Sequence, residues 1–180
     1  MRTSKFLSLV LRHRPDMIGV ALDSAGWIGI DDLLRALANY DRPLTRAELE
    51  AVVAESDKQR FAVDRSTDRI RANQGHSIDV DLGLPESVPP VLLYHGTPTR
   101  NLQAIQAGGL RKQGRHAVHL SADAETAHRV GARRGAHVVL EVDAAAMHRA
   151  GHRFAVSANG VWLTESVPAR YLRAPTAATE

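Results

Sequence analysis

Cysteine is absent from all 180 residues of this chain. That absence excludes disulfides, thiol catalysis and cysteine-ligated zinc together. No run of about 18 apolar residues occurs, so no segment qualifies as a membrane-spanning helix. The N-terminus has no long apolar stretch behind its charges; no signal peptide is expected, and the cytoplasm is the expected compartment. Lysine is scarce, 3 residues against 20 arginines. No Walker-type phosphate loop, nucleophilic-serine motif, internal repeat or low-complexity tract appears.

What is present reads as an ordinary globular composition, 44% hydrophobic and 24% charged, long enough for one sizeable domain or two small lobes. The sequence pI of about 9.7 suggests an anionic partner, although an arginine-for-lysine bias is also what a GC-rich genome produces. Residues 1–80 carry 12 basic and 12 acidic side chains, whereas residues 81–180 carry 11 and 8. A nonspecific DNA binder would concentrate positive charge on its recognition lobe. The small excess in the second half favours a local phosphate pocket instead.

Along the chain, Phe6, Leu7, Val10 and Leu11 make an apolar stripe at helical spacing over 4–14, with Thr3 or Ser4 as N-cap and Pro15 as terminator. Trp27–Ile30 reads as a strand, after which Asp31 caps a helix carrying Leu33, Leu34 and Leu37. Thr45-Arg46-Ala47-Glu48 has capping-box form ahead of Leu49, Val52 and Val53. Phe61–Val63 and Arg69–Ala72 read as strands around a polar turn. This order is winged-helix-like. Segment 81–90, with Gly83, Pro85, Pro89 and Pro90, reads as a linker between a lobe at 1–80 and another at 91–180. The second lobe alternates strands (Val91–Tyr94, Val118–Leu120, Val138–Val142, Phe154–Val156, Val161–Leu163) with short helices, one starting near Ser121-Ala122-Asp123. The expected fold class is α+β.

Three groups of basic residues stand out, read as lacking acidic partners: Leu11-Arg12-His13-Arg14-Pro15, the run from Arg69 to Ser77, and Gly131-Ala132-Arg133-Arg134-Gly135. Arginine holds phosphate with a planar fork that stays charged at physiological pH. Each group also has a plainer explanation. Arg12 and His13 suit the carbonyl-rich end of any helix. Arg69 and Arg71 alternate with Ile70 and Ala72, as on a solvated strand face. Arg133 and Arg134 could serve helix-end carbonyls. Nine histidines invite a metal reading, but His116 and His119 would sit on opposite strand faces, and Gly151 interrupts the helical spacing of His148 and His152; no metal site is expected.

Taken together, Leu11-Arg12-His13-x-Pro15, Arg71 with Asn73-Gln74-Gly75-His76-Ser77, Tyr94-His95-Gly96-Thr97, Val118-His119-Leu120-Ser121 and Asn159-Gly160-Val161-Trp162-Leu163-Thr164 resemble the RNA 2′-phosphotransferase family, from Ser4 to about Leu172. The resemblance implies a C-terminal lobe like that of the ADP-ribosyltransferases, with NAD bound there. It implies Arg12, His13, Arg71 and Arg133 as the catalytic set. His95, Gly96, Thr97, His119, Ser121 and Val161 are the NAD-binding set, with Ser121 near the pyrophosphate. Where many ADP-ribosyltransferases end their pattern in Glu, this chain has Val161. An acceptor that is already anionic, such as phosphate, needs no such base. The implied reaction moves an internal RNA 2′-phosphate to NAD through a 2′-phospho-ADP-ribosylated RNA. It releases nicotinamide, 2′-hydroxyl RNA and ADP-ribose 1″,2″-cyclic phosphate. A tRNA-like RNA from splicing is the expected partner, and the protein is expected to be a monomer. Two other readings remain open: ADP-ribosylation of terminal phosphates on nucleic acid, and a winged-helix nucleic-acid-binding regulator.

Overall fold

The first apolar stripe becomes the buried side of α1 (Thr3–Arg12), where Phe6, Leu7, Val10 and Leu11 are each at most 4% exposed. The computed structural model describes residues 3–56 and 59–173, and the chain divides into two units, Met1–Gly83 and Leu84–Glu180. Thr3 and Ser4, expected as caps, are themselves helical; the position before them lies outside the described residues. Pro15 opens a short 3-10 helix, Pro15–Ile18.

In the first unit β1 (Ile28–Gly29) runs straight into α2 (Ile30–Asn39). The N-cap is Gly29, which caps with no side chain, and Asp31 instead lies in the first turn with Asp32, where negative charge suits the helix dipole. The reason is packing: Ile30, at 1% exposure, belongs to the core and draws the helix start back to itself. At α3 (Arg46–Ala54) the capping box forms as expected, Glu48 N–H donating to Thr45 Oγ1 and Thr45 N–H to Glu48 Oε2. Strands β2 (Phe61–Asp64) and β3 (Arg69–Ala72) complete an antiparallel sheet in the order β1-β3-β2, with Ile28 opposite Ile70 and Phe61 opposite Ala72. Their turn closes on the Asp64 carboxylate, which accepts from Ser66 N–H, Ser66 Oγ–H and Thr67 Oγ1–H; these donors hold its pKa at about 2. One core joins α1, Leu33 and Leu37 of α2, Leu49 of α3, and Ile70 and Ala72 of β3.

The segment read as a linker is distributed between the units. Asp81 N–H donates to the Ser24 carbonyl in the first, while Ser87 N–H donates to the Phe154 carbonyl in the second.

The second unit contains β4 (Leu92–Pro98), α4 (Leu102–Gly108), β5 (Leu110–Arg111), β6 (Val118–Leu120), α5 (Ala124–Gly131), β7 (His137–Asp143), α6 (Ala144–Arg149), β8 (Ala155–Val156), β9 (Trp162–Thr164), β10 (Ser166–Val167) and β11 (Leu172–Arg173). All described pairs are antiparallel, in sheets ordered β11-β7-β4, β6-β9-β8 and β10-β5. A Tyr94–Ser121 bridge joins the first two. Strands β5, β10 and β11 have two residues each, too short to show alternation in sequence. The core gathers Leu93, Leu120, Val142, Met147 and Phe154.

Candidate active site

The end of α1 is tied to the Asn73–Ser77 run. Ser77 N–H donates to the Arg12 carbonyl at 2.9 Å, satisfying a helix-end acceptor, and His13 Nδ1 shares a 2.9 Å hydrogen bond with Ser77 Oγ. Arg12 Nη2 donates to the Arg60 carbonyl at 3.4 Å. Gly75, at φ +88°, lets the chain pass against Arg12; a Cβ there would stand 3.7 Å from Nη1. Buried His76 then packs beside Gly26.

Arg71 sits next to the same segment. Its Nη1 donates to the carbonyls of Ala25 and Leu82, both at 3.2 Å, and its guanidinium lies 4.6 Å from the Trp27 ring centroid. Among the described residues it forms no ion pair. Burial pulls its pKa below the usual arginine value and the Asp23 charge partly opposes this; a guanidinium still remains protonated. The neighbouring arginines differ. Arg69 pairs with Asp23, and Arg14 with Asp16, so two cations read as lacking acidic partners have them. Alternation on β3 does put Arg69 and Arg71 on one face, but the Asp23 carboxylate hydrogen-bonds only the first.

In the second unit three separate motifs fall on or next to neighbouring strands. His95 and Gly96 lie inside β4, not at its end as expected, because pairing with β7 continues to Pro98↔His137. His95 Nδ1–H donates to the His119 carbonyl on β6 at 3.0 Å. Burial lowers the His95 pKa, against the effect of that hydrogen bond, and the positive charge of Arg115 lowers it further. The ring is therefore neutral near pH 7, with Nε2 as its acceptor. Gly96 is obligatory: a Cβ would stand 1.9 Å from the Ala127 carbonyl oxygen of α5. Thr97 is buried. Ser121 exchanges both backbone hydrogen bonds with Tyr94, and Val161 closes a loop on Ser157 one step before β9. Since Leu120 pairs with Trp162, Ser121 and Val161 are the next positions of that register.

Ser121 does not cap α5. Asp123 does, accepting from Thr126 N–H at 2.7 Å, so a carboxylate already occupies that helix end. Arg133 is exposed on the 3-10 turn Ala132–Arg134 after α5. The turn is held by His137, whose Nδ1–H donates to the Gly135 carbonyl at 3.3 Å and whose Nε2 lies 3.2 Å from His128 Nδ1. His116 precedes β6, and its ring meets that of His119 at 6.0 Å, so the two are not on opposite strand faces. Trp27, Ala25 and Leu82 around Arg71, and Arg115 near His95, had no sequence signal. They lie far away in the chain, and two of the contacts use backbone atoms.

The match to known proteins covers the same residues. The family model "RNA 2'-phosphotransferase, Tpt1 / KptA family" matches residues 1–166. A Streptomyces coelicolor protein named "Probable RNA 2'-phosphotransferase" is 61% identical over 97% of this chain and 95% of its own length. Proteins of the same name from Streptomyces griseus and Nostoc punctiforme are 56% and 53% identical, over 96% of this chain and 95% and 96% of theirs. With a matching model over most of its length and relatives this similar, the chain belongs to the RNA 2′-phosphotransferase, Tpt1/KptA family.

Proposed function

We propose that this protein is an NAD-dependent RNA 2′-phosphotransferase. The observation that carries the reading is Arg71, a guanidinium held by two carbonyls and an indole with no carboxylate paired to it among the described residues, in a chain of this family. Such a cation is prepared for an anion. The order α1-β1-α2-α3-β2-β3 and the β1-β3-β2 sheet support a winged-helix-like lobe at 1–80. His95 on β4, His119 on β6 and Val161 just ahead of β9 support an ADP-ribosyltransferase-like lobe at 91–180.

NAD is consumed here as a substrate. The residues fit it: neutral His95 offers Nε2 to a ribose hydroxyl, Gly96 and Thr97 flank it, His119 holds it through its carbonyl, and Val161 adds no competing carboxylate. Ser121 remains the assignment nearest the pyrophosphate, through its hydroxyl and not the end of α5.

Arg12, Arg71 and Arg133 take the RNA 2′-phosphate. In the first step a phosphate oxygen bonds to C1″ of the nicotinamide ribose, and the C1″–N bond breaks with its electron pair leaving on nicotinamide. The nucleophile is already anionic, so no base is required. In the second step O2″ bonds to phosphorus, the P–O2′ bond breaks, and the O2″ proton ends on O2′. Charge builds on phosphoryl oxygens there, and arginines stabilise it. His13, anchored by Ser77, hydrogen-bonds the phosphate or carries that proton.

The test is mass analysis after incubation with a 2′-phosphorylated oligoribonucleotide and NAD. Nicotinamide, 2′-hydroxyl RNA and ADP-ribose 1″,2″-cyclic phosphate are expected. Stable ADP-ribosylated nucleic acid would favour terminal-phosphate capping, and no turnover would overturn the reading. Regulation through a winged helix is disfavoured by α3, which presents exposed Glu48 and Glu50, with Arg46 committed to Asp31 and Asp68.

A further inference from the structure

The second unit has a cationic surface that none of the assigned residues uses. Tyr171 is its centre. The Arg170 guanidinium lies 4.8 Å from the Tyr171 ring centroid, and the His152 ring meets the same ring edge-on at 5.8 Å. Arg153 follows His152, and Arg149 ends α6 three residues before it, where the His152 N–H returns to the Met147 carbonyl. Arg149, Arg153 and Arg170 are exposed.

Neighbouring carboxylates do not neutralise them. Among the described residues the ion pairs of this unit are Arg129–Glu125 and Arg173–Asp143, and Asp143 also caps α6 through Ala146 N–H. Glu165 is nearby, next to the Thr164 whose hydroxyl donates to the Arg153 carbonyl, but it pairs with none of the three. Three exposed guanidiniums without an ion pair among the described residues, one of them against an aromatic ring, fit a phosphodiester backbone, which such cations bind whatever the base sequence.

Tyr171 ties this surface to the core of the unit. Strand alternation puts Leu93 and His95 on one face of β4, and Leu93 shares its core with Met147 and Tyr171. We infer that Arg149, Arg153 and Arg170 form an RNA exosite that holds backbone phosphates flanking the reacting nucleotide. The inference rests on the proposed function for its substrate class.

The experiment compares wild type with R149A/R153A/R170A, checking the fold by unchanged Tm. Two substrates are used, a 2′-phosphorylated dinucleotide and a 2′-phosphorylated RNA of about 20 nucleotides. The exosite predicts a KM for the long RNA raised about tenfold and a salt dependence shallower by about one unit per lost contact, with dinucleotide turnover unchanged. Equal KM and salt slope on the long RNA would overturn it, as would an equal loss on both substrates. Fluorescence anisotropy with the same long RNA lacking the 2′-phosphate separates this from the proposed activity. Weaker binding by the triple variant supports the exosite even if turnover is absent, and unchanged binding removes it.

Discussion

The two units handle charge in opposite ways. Residues 1–80 are formally neutral, with Arg14, Arg35, Arg46 and Arg69 each paired to an aspartate, yet they contain the uncompensated Arg71. Residues 81–180 have the excess of three positive charges, yet the centre of their candidate site is a histidine kept neutral by burial. Net charge therefore does not locate a site. What matters is which groups the fold neutralises: carbonyls orient Arg71 without cancelling its charge, and a carbonyl fixes His95 in one tautomer.

If this contrast is functional, the largest effect should come from removing a site cation. Arg71→Ala or Arg133→Ala should slow the second step by roughly a hundred- to a thousandfold, about 3–4 kcal/mol, because these donors act on charge that develops only in the transition state. The 2′-phospho-ADP-ribosylated RNA should then accumulate as a slower gel band. Loss of product with no intermediate at any time would assign these arginines to binding or to the first step.

The second unit should be the more sensitive to one added carbon. Gly96→Ala puts Cβ into the backbone of α5 and should cost about 3 kcal/mol in denaturant unfolding. Gly114→Ala, with open space at its Cβ, should be close to neutral. Equal effects would mean that α5 can move off β4 freely. Asp123→Ala removes the α5 cap and should cost about 1 kcal/mol, while Ser121→Ala should leave helix stability unchanged.

The smallest effect concerns pH. The folded-state pKa of His95 lies below its ordinary value of 6.5. The unfolded chain thus binds the proton more readily, so this contribution to stability is complete above pH 6.5 and is lost as pH falls through the folded pKa. Thermal melts of wild type and His95→Gln should diverge on acidification, with wild type losing more. Parallel curves would remove the buried neutral histidine from the account.

The apolar spacing of Phe6, Leu7, Val10 and Leu11, the Thr45–Glu48 capping box and the alternation at Arg69–Ala72 were legible in sequence because each depends on contacts within a few residues. Family membership was legible for a different reason: short motifs of distinctive residues extend along nearly the whole chain. Partners were not legible. That Asp23 would neutralise Arg69 and leave Arg71, and that α5 would press on Gly96, depend on groups brought together from distant segments. Local sequence determined which helices and strands could form and which residue types were available to the candidate site. Tertiary structure decided which charges stay uncompensated, because neutralisation acts over a few ångströms of space and sequence distance does not measure that.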